Sequence, residues 1–207
     1  MFNCNTCTRN EHCHIYKSGF RIEQCSDYTT EKKEETMAVP TIKDSGNRRR
    51  FETGAVRDIQ EGKGRCDLMP LDVLARFFTL DGKPNKTLGC IYDYQANGYV
   101  ESLLLALSWF SEEHWKNNRT MFLEVSIHFE EGAKKYGENN WQKGIPTHCY
   151  IDSAVRHYLK YLRGDKDEPH DRAFVWNILC CIWTCIHKPE LNDYQKESET
   201  DTNEHNI

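Results

Sequence analysis

Apolar side chains return every three or four residues through the middle of the chain, between residues 51 and 188. This spacing is the helical period, so it predicts amphipathic helices whose apolar faces pack together. Four such stripes contain, in chain order, Leu68, Leu71, Leu74, Ala75 and Phe78; Val100, Leu103, Leu104, Leu107 and Phe110; Phe122, Val125, Phe129, Ala133 and Tyr136; and Ile151, Ala154, Val155, Tyr158, Leu159 and Leu162. Glycines that follow the last two stripes, Gly137 and Gly164, predict where those helices end.

A fifth helical segment, from about Pro169 to Ile186, is apolar on nearly every side. Such a helix is normally buried, so we expect it at the centre of the domain. Patterns typical of strands are scarce, and only Leu88 to Tyr94 suggests one arm of a short hairpin. Because the helices are joined by short connections, the expected fold class is mostly α, an antiparallel helical bundle.

The polarity of the chain divides it into four zones. Residues 1–28 form an arm rich in Cys and His, and residues 29–50 a polar linker. Residues 51–188 carry the helical periodicity and are the predicted functional domain. Residues 189–207 are polar and acidic, and we expect them to form a flexible tail.

Four cysteines of the N-terminal arm have the residue type and spacing of soft metal ligands. They are Cys4, Cys7, Cys13 and Cys25. Four thiolates can close a tetrahedral zinc site, so the arm predicts structural Zn²⁺. The alternative is a set of free thiols, because only one Cys-x2-Cys pair is present.

Charge and hydropathy restrict the function further. A net charge of -5 at pH 7 argues against general affinity for nucleic acid, so phosphate binding would need a local basic cluster. No apolar run approaches the roughly 20 residues of a membrane span. The first residues, Met1 to Cys4, lack the basic and apolar parts of a secretory signal. We therefore expect a soluble cytoplasmic protein with reduced thiols.

A basic, glycine-rich segment lies just before the first helical stripe. Gly62 and Gly64 flank Lys63, and Arg65 follows directly. Glycine allows backbone N–H groups to approach an anion, and the two cations can pair with phosphate oxygens. The alternative is a solvated basic turn, because short Gly/Lys loops are common.

Acidic and histidine residues share one face of the third helical stripe. Glu124, His128 and Glu131 are spaced i, i+4, i+7, and Glu130 lies on the neighbouring face. Such a set can hold a divalent cation or act as acid and base. The alternative is a polar stripe in contact with solvent.

A second acidic cluster, at residues 165–171, precedes the central helix. Glu168 and Asp171 are spaced i, i+3 and could face His128 and Glu131 from a neighbouring helix, as in the metal sites of helical bundles. The alternative is a cap, because negative charge stabilises a helix start.

Two further residues could contact a base. Trp141, in a polar loop after the third stripe, could stack on a nucleobase or could be a core tryptophan that holds the loop. Asn177 lies inside the apolar helix, and a buried amide there is either a structural hydrogen-bonding group or a base-reading group.

Several of these segments resemble the phage-associated dATP/dGTP diphosphohydrolase N-terminal family. The similar blocks are residues 51–58, 62–70, 130–141, 152–157 and 164–170, with Trp176 and Asn177. They occur in the family's order and extend over roughly residues 51–186. The resemblance implies an all-α protein that acts on or binds purine deoxynucleotides in the cytoplasm of a phage-infected bacterium.

The sequence also resembles, more distantly, the MazG-like all-α nucleotide pyrophosphohydrolases. These use Glu-x2-Glu on one helix and Glu-x2-Asp on the next to bind magnesium. Glu168 and Asp171 match the second half, whereas His128 stands where the first half has a glutamate, followed by Glu131. The dipeptide that begins at His170 is also similar to that of the HD phosphohydrolases, with His128 as an upstream ligand.

The resulting hypothesis is a metal-dependent hydrolase that converts a purine (deoxy)nucleoside triphosphate to monophosphate and pyrophosphate. Its catalytic candidates are Glu130, Glu131, His128 and His170. Its substrate-binding candidates are Lys63, Arg65, Lys134, Lys135, Tyr136, Asn140, Trp141, Arg156, His157 and Asn177. Its metal ligands, for Mg²⁺ or Mn²⁺, are Glu131, Glu168 and Asp171.

Two other functions remain open. The same residues suit a non-catalytic sponge that sequesters a nucleotide immune signal as an anti-defence protein. A nucleic-acid adaptor that uses the Cys-rich arm is disfavoured by the negative net charge. Because a bundle with an apolar central helix often completes its core across a subunit interface, we expect a homo-oligomer. The lack of a long apolar run predicts no membrane contact.

Overall fold

The computed structural model describes residues 46–80 and 82–194. The predicted zinc ligands Cys4, Cys7, Cys13 and Cys25 lie outside the described residues, as do most of the predicted linker and tail.

Six α-helices form the bulk of the described structure, and the prediction of a mostly α bundle is confirmed. They are α1 (Leu71–Phe77), α2 (Lys86–Asn97), α3 (Val100–His114), α4 (Met121–Tyr136), α5 (Thr147–Arg163) and α6 (His170–His187). Short 3₁₀ helices occupy Cys66–Leu68, Asn140–Lys143 and Pro189–Leu191.

Two small antiparallel hairpins accompany the helices. In the first, β1 (Arg48–Arg50) pairs with β2 (Val56–Asp58), so that Arg49 lies opposite Arg57. In the second, β3 (Thr79–Leu80) pairs with β4 (Lys83–Pro84). The first hairpin is functionally relevant, because β2 carries charged side chains to a cavity of the bundle.

Helix α6 is the central helix, as its apolar composition predicts. It contacts α3, α4 and α5, and twelve of its eighteen residues are buried. The ring of Phe174 packs against Phe110 and Tyr158, with centroid separations of 4.6 and 5.2 Å. All three rings are fully buried, so they belong to the apolar core that stabilises the fold.

Helix α5 ends where the sequence predicts. Gly164 has a φ of 85°, a left-handed conformation that other residues adopt at a cost, and its N–H bonds to carbonyls of the last turn. Gly137 likewise ends α4. Helix ends in this region are therefore encoded locally.

The segment from Leu88 to Tyr94 differs from the prediction, because it belongs to α2 and not to a hairpin. Asn85 caps this helix, and its side-chain oxygen accepts a hydrogen bond from the N–H of Leu88 at 2.9 Å. Leu88, Ile91 and Tyr94 are all fully buried on one helical face. The interaction with neighbouring helices therefore overrides the short alternating pattern.

The described helices show no membrane span, since none combines the length and the apolar character that crossing a bilayer requires.

Candidate functional site

A cavity of about 880 Å³ lies among helices α4, α5 and α6, strand β2 and the loop after α4. This volume is within the range of roughly 300–1,000 Å³ found for small-molecule and cofactor sites. Its wall combines aromatic side chains with basic, acidic and amide groups. The cavity is therefore suited to a ligand that has both an apolar ring and charged groups.

Helix α5 lines the cavity with one polar face. The residues on that face are Cys149, Asp152, Ser153, Arg156, His157 and Lys160. Their spacing of three or four positions keeps them on one side, while the apolar stripe with Ile151, Val155 and Tyr158 is buried in the core. On α4, Gly132 and Ala133 face the same space and leave room because they are small.

Three cations from separate segments approach the cavity. Arg57 comes from β2, Lys63 from the glycine-rich loop and Arg156 from α5. Burial lowers the pKa of Lys63; Asp58 opposes this, and the charges of Arg156, Lys135 and Arg57 lower the pKa further. An anionic ligand beside Lys63 would favour the charged form of its ammonium group.

Arg57 is held by neutral groups. Its Nη2 donates hydrogen bonds to Asn177 Oδ1 at 2.8 Å and to Ser153 Oγ at 3.1 Å. Its guanidinium lies 5.0 Å from the ring centroid of Tyr150. No carboxylate within the described residues forms an ion pair with it, so this charge lacks a counterion in that part of the protein.

Several buried polar atoms of the cavity wall have no hydrogen-bond partner among the described residues. They are Arg57 Nη1, Gln60 Nε2, Trp176 Nε1 and His128 Nδ1. The first three are donors only, and buried donors are costly when unpaired. The cavity therefore presents donors to which a ligand rich in acceptor atoms is complementary.

His128 is a neutral imidazole in this setting. It is 8 % exposed and lies against the Trp176 ring at a centroid distance of 5.6 Å. Burial, followed by the charges of Arg172, Arg57 and Lys135, lowers the pKa of His128 to about 4. Its free Nδ1 is therefore available to a ligand or a water molecule.

Two acids of the cavity wall are already occupied by protein partners. Asp152 accepts a hydrogen bond from the backbone N–H of Cys66 at 2.6 Å and pairs with Arg156. Asp58 interacts with Lys135 at 2.9 Å and with two further donors, Arg48 and Tyr136. These carboxylates hold the basic loop and the hairpin against the helices.

Asn140 joins the loop after α4 to strand β2. Its Oδ1 accepts from Val56 N at 2.9 Å, and its Nδ2 donates to Val56 O at 2.7 Å. The amide thus pairs with the strand as another strand would. This contact fixes the position of Arg57, the next residue of β2.

We expect Asn140→Ala to lower the free energy of unfolding by about 1–3 kcal/mol, because both backbone groups of Val56 lose their partner. Urea denaturation measures this change, and the midpoint should fall while the slope stays constant. Lys143→Ala, an exposed change in the same 3₁₀ helix, is the matched control. Equal midpoints for the two variants would contradict the role of Asn140.

A cluster of two histidines and a carboxylate lies where α5 meets the start of α6. The Nδ1 atoms of His157 and His170 are 2.9 Å apart, and each is 3.7 Å from Glu168 Oε1. His170 Nε2 bonds to Asp167 Oδ1 at 2.8 Å. Burial, then the charge of His170, lowers the pKa of His157 well below its usual value. His157 and Glu168 also line the cavity.

Residues 118–194 match the family model described as dATP/dGTP diphosphohydrolase, N-terminal. The match includes α4, α5 and α6, and confirms the predicted resemblance over this part of the chain. The activity that the description indicates is hydrolysis of a purine deoxynucleotide. Neither the curated proteins nor the solved structures include a significant match to the chain.

Many of the site residues predicted from the sequence line this cavity. They are Lys63, His128, Glu130, Tyr136, Asn140, Trp141, Arg156, His157, Glu168 and Asn177. Trp141 also has a core role, because its ring packs edge-on against Phe129 and Trp183. The two interpretations given for this tryptophan are therefore compatible.

The other predicted residues of the diphosphohydrolase site lie outside the cavity wall. They are Glu131, Lys134, Lys135, Arg65, His170 and Asp171. Arg65 pairs with Asp67, with Nε 2.7 Å from Oδ1. Lys134 pairs with Glu130 on an exposed face, and Trp115 Nε1 donates to Asp171 at 3.2 Å. His170 lies beneath the wall, in the histidine cluster.

The magnesium set implied by the diphosphohydrolase resemblance is not assembled as predicted. Within the described ranges, two groups of at least three metal-ligand residues have their ligand atoms within 4.8 Å of one another. One contains His157, Glu168 and His170, and the other contains Asp165, Asp167 and His170. Glu131 and Asp171 belong to neither group. The other possible ligands beside Glu168 are the imidazoles of His157 and His170. The residues present fit a divalent cation, but with nitrogen ligands.

Sequence reasoning missed several residues of the site. Arg57 and Gln60 have unpaired donors at the cavity but lie in a segment without strong periodicity. His148, which lies outside the cavity wall, was not singled out from the sequence either: its Nδ1 lies 2.8 Å from Asp193 Oδ2 and its Nε2 lies 3.3 Å from Cys149 Sγ. The hydrogen bond to Asp193, ahead of that to Cys149, raises the pKa of His148 to about 10.

Proposed function

We propose that the cavity binds a purine (deoxy)nucleoside triphosphate and hydrolyses it to the monophosphate and pyrophosphate. The observation that carries this proposal is the set of unpaired donors on the wall, headed by the Arg57 guanidinium without a carboxylate partner among the described residues. A triphosphate supplies the negative charge and the acceptor atoms that these groups lack.

Two parts of the cavity suit the two parts of a nucleotide. Arg57, Lys63 and Arg156 would pair with phosphate oxygens on the basic side. Trp141, together with Trp176, would provide an apolar wall for the base. Trp176 Nε1 is unpaired and can donate to a purine ring nitrogen or carbonyl.

Hydrolysis requires a water molecule directed at the α-phosphorus and an acceptor for its proton. His128 is proposed as that acceptor, because its Nδ1 is unpaired and its imidazole is neutral. Bound phosphates would raise its pKa by adding negative charge nearby. Water oxygen bonds to the α-phosphorus as the bond to pyrophosphate breaks, and Arg57 and Lys63 stabilise the charge that develops on the leaving group.

A divalent cation would be held by Glu168 with the neighbouring histidines His157 and His170. When bound, it supplies charge neutralisation of phosphate oxygens and lowers the pKa of a coordinated water. The remaining functions, which are binding, orientation and proton transfer, belong to side chains of the cavity itself.

A binding-only function is the second candidate, and one observation favours it. Asp58 and Asp152, two acids of the cavity wall, are occupied by cationic partners. A cavity that is rich in donors but has few free carboxylates can retain a nucleotide without cleaving it. This corresponds to the anti-defence sponge considered above.

Incubation with a panel of nucleoside triphosphates and cyclic nucleotides, with Mg²⁺ or Mn²⁺, distinguishes the two candidates. Mass spectrometry would follow both product formation and the ligand released by heat denaturation. We expect monophosphate and pyrophosphate from dATP or dGTP, with turnover lost in His128→Ala and kept in Arg163→Met, which removes an exposed cation of the same bundle. Intact nucleotide recovered stoichiometrically, without turnover, would establish the sponge.

We propose that the protein acts in the host cytoplasm, where its nucleotide substrate is found. We do not expect it to bind nucleic acid strongly.

We also propose that the protein forms a homo-oligomer. Several apolar side chains that do not line the cavity are more than half exposed, namely Phe77, Leu104, Leu105 and Leu123. Light scattering of the purified protein tests this, and a monomeric mass would refute it.

A further inference from the structure

We propose that His157, Glu168 and His170 form a centre for a divalent transition-metal ion of the Zn²⁺ type, with Asp167 as the residue that orients His170. The site shares Glu168 with the predicted all-carboxylate magnesium set but has two imidazoles in place of Glu131 and Asp171. Metal binding stands on the geometry below, and only its use in hydrolysis rests on the proposed function.

The three ligand atoms are spaced as the ligands of one small ion. Because a triangle with sides of 2.9, 3.7 and 3.7 Å has a circumscribed circle of about 2.0 Å radius, one point lies about 2.0 Å from both Nδ1 atoms and from Glu168 Oε1. Zinc bonds to imidazole nitrogen and carboxylate oxygen are roughly 2.0–2.2 Å long. The spacing of the three atoms therefore matches that of ligands to one such ion.

The cluster is built from two elements that pack together. His157 comes from the middle of α5, and His170 is the first residue of α6. Glu168 lies two residues earlier, across Pro169, whose ring restricts the backbone between the two ligands. The His170 side chain is 1 % exposed, so its ring cannot turn away from the cluster into solvent.

Asp167 determines which nitrogen of His170 faces the ion. Its Oδ1 accepts a hydrogen bond from His170 Nε2 at 2.8 Å, which places the proton on Nε2 and leaves a lone pair on Nδ1. Histidine ligands of metals commonly donate their other N–H to a carboxylate in this way. The cluster thus has the second layer of contacts that metal sites require.

The donor set determines the class of ion. Two imidazole nitrogens and one carboxylate oxygen favour Zn²⁺ and neighbouring transition metals, whereas Mg²⁺ prefers six oxygens in an octahedral arrangement. Lys160 Nζ lies 3.9 Å from Glu168 Oε1, so the carboxylate forms an ion pair at the edge of the cluster. Three protein ligands leave a coordination position open, and two of them line the cavity.

Metal binding is measured on the full chain without nucleotide, after treatment with a chelator. The probe is Co²⁺, followed by its visible absorption and by calorimetry, with Zn²⁺ as the competitor. We expect one equivalent of Co²⁺ to be lost in His157→Ala and in Glu168→Gln, and kept in His187→Ala, an exposed histidine of α6. Asp167→Asn should weaken the affinity about 10–100-fold, because it keeps all three ligands and changes only the orienting group.

Co²⁺ bound by the cysteines of the N-terminal arm must be distinguished from Co²⁺ bound at the histidine cluster. Thiolate ligands of Co²⁺ give intense near-ultraviolet charge-transfer bands, whereas a site of imidazole and carboxylate does not, so the two are resolved in one titration. Millimolar Mg²⁺ should leave the bound Co²⁺ in place. Equal Co²⁺ stoichiometry in wild type, His157→Ala and Glu168→Gln, each with a native circular dichroism spectrum, would overturn the proposal, as would displacement by Mg²⁺.

The metal-binding experiment can refute the metal centre and the nucleotide hydrolase independently of each other. A protein that binds Co²⁺ at this cluster but neither binds nor cleaves any nucleotide would refute the nucleotide hydrolase and leave the metal centre intact. A protein that cleaves nucleotide with Mg²⁺ while the His157→Ala variant keeps full Co²⁺ stoichiometry would refute the metal centre alone.

Discussion

Arg57→Met should weaken nucleotide binding more than any other single change in the cavity. Truncating a charged group that is partly buried and hydrogen-bonded to an anionic partner costs about 2–5 kcal/mol, which is roughly 30-fold to several thousand-fold in the dissociation constant. Arg57 is expected at the upper part of this range, because the described residues offer it no carboxylate and the ligand is then its counterion.

The same change should affect stability much less. Replacing Arg57 removes hydrogen bonds to Asn177 and Ser153, but it also removes a half-buried charge that is not neutralised by the described residues. We expect the free energy of unfolding to change by less than about 2 kcal/mol. Loss of binding without loss of folding is typical of a residue that serves the ligand and not the fold.

Calorimetric titration of a non-hydrolysable triphosphate measures the affinity, and urea denaturation measures the stability. Arg163→Met is the matched control, since it removes an exposed guanidinium that pairs with Asp165 at the end of α5. Arg57→Lys is a second comparison, because an ammonium cannot reproduce the forked contact. A dissociation constant within twofold of wild type in Arg57→Met would refute the role assigned to Arg57.

The helices of this protein could be predicted from sequence because their apolar faces repeat over many turns. The stripe of α5 and the apolar helix α6 each give a signal that is long enough to overcome local ambiguity. The segment from Leu88 to Tyr94 was misread because seven residues fit either period, and its burial on one face of α2 is decided by neighbouring helices.

The site could be predicted only in part, because a helical face does not reveal which neighbour covers it. Glu124, His128 and Glu131 share a face in the sequence pattern. In the structure His128 is buried at the cavity, whereas Glu124 is exposed and approaches Arg172 at 3.5 Å. Whether one member of a polar stripe is buried depends on how the helices pack, and the hydrophobic periodicity gives no information about that packing.

Contacts between segments that are distant in the chain could not be predicted from the sequence pattern. His157 and His170 were both candidates, yet their 2.9 Å approach depends on how α5 and α6 pack. Arg57 gave no signal, because β2 has three residues and a strand that short shows no alternation. Its position depends on Asn140, which pairs with the backbone of β2 from a loop more than 80 residues later.

The largest loss of stability is expected from Asp152→Ala. Asp152 is 2 % exposed, and it both accepts the N–H of Cys66 at 2.6 Å and pairs with Arg156. Removing it leaves a largely buried guanidinium without its partner, and breaking a buried pair in this way costs about 3–5 kcal/mol. It also releases the segment of Cys66, which follows the Lys63 loop, from α5.

A double-mutant cycle distinguishes the pair from simple loss of packing. Because the cost of Asp152→Ala arises largely from the unpaired charge of Arg156, adding Arg156→Met should restore part of the stability, and the two changes should not be additive. Urea midpoints of the four proteins measure the coupling. The surface pair of Arg163 and Asp165 is a control cycle, in which we expect a coupling of no more than about 1 kcal/mol. Additive effects at Asp152 and Arg156 would show that the carboxylate acts mainly through the backbone of Cys66. In that case hydrogen bonding alone would hold the loop that carries Lys63 to α5. Nucleotide affinity would then still fall in Asp152→Ala. It would stay unchanged in Asp152→Asn, which keeps an acceptor for the N–H of Cys66.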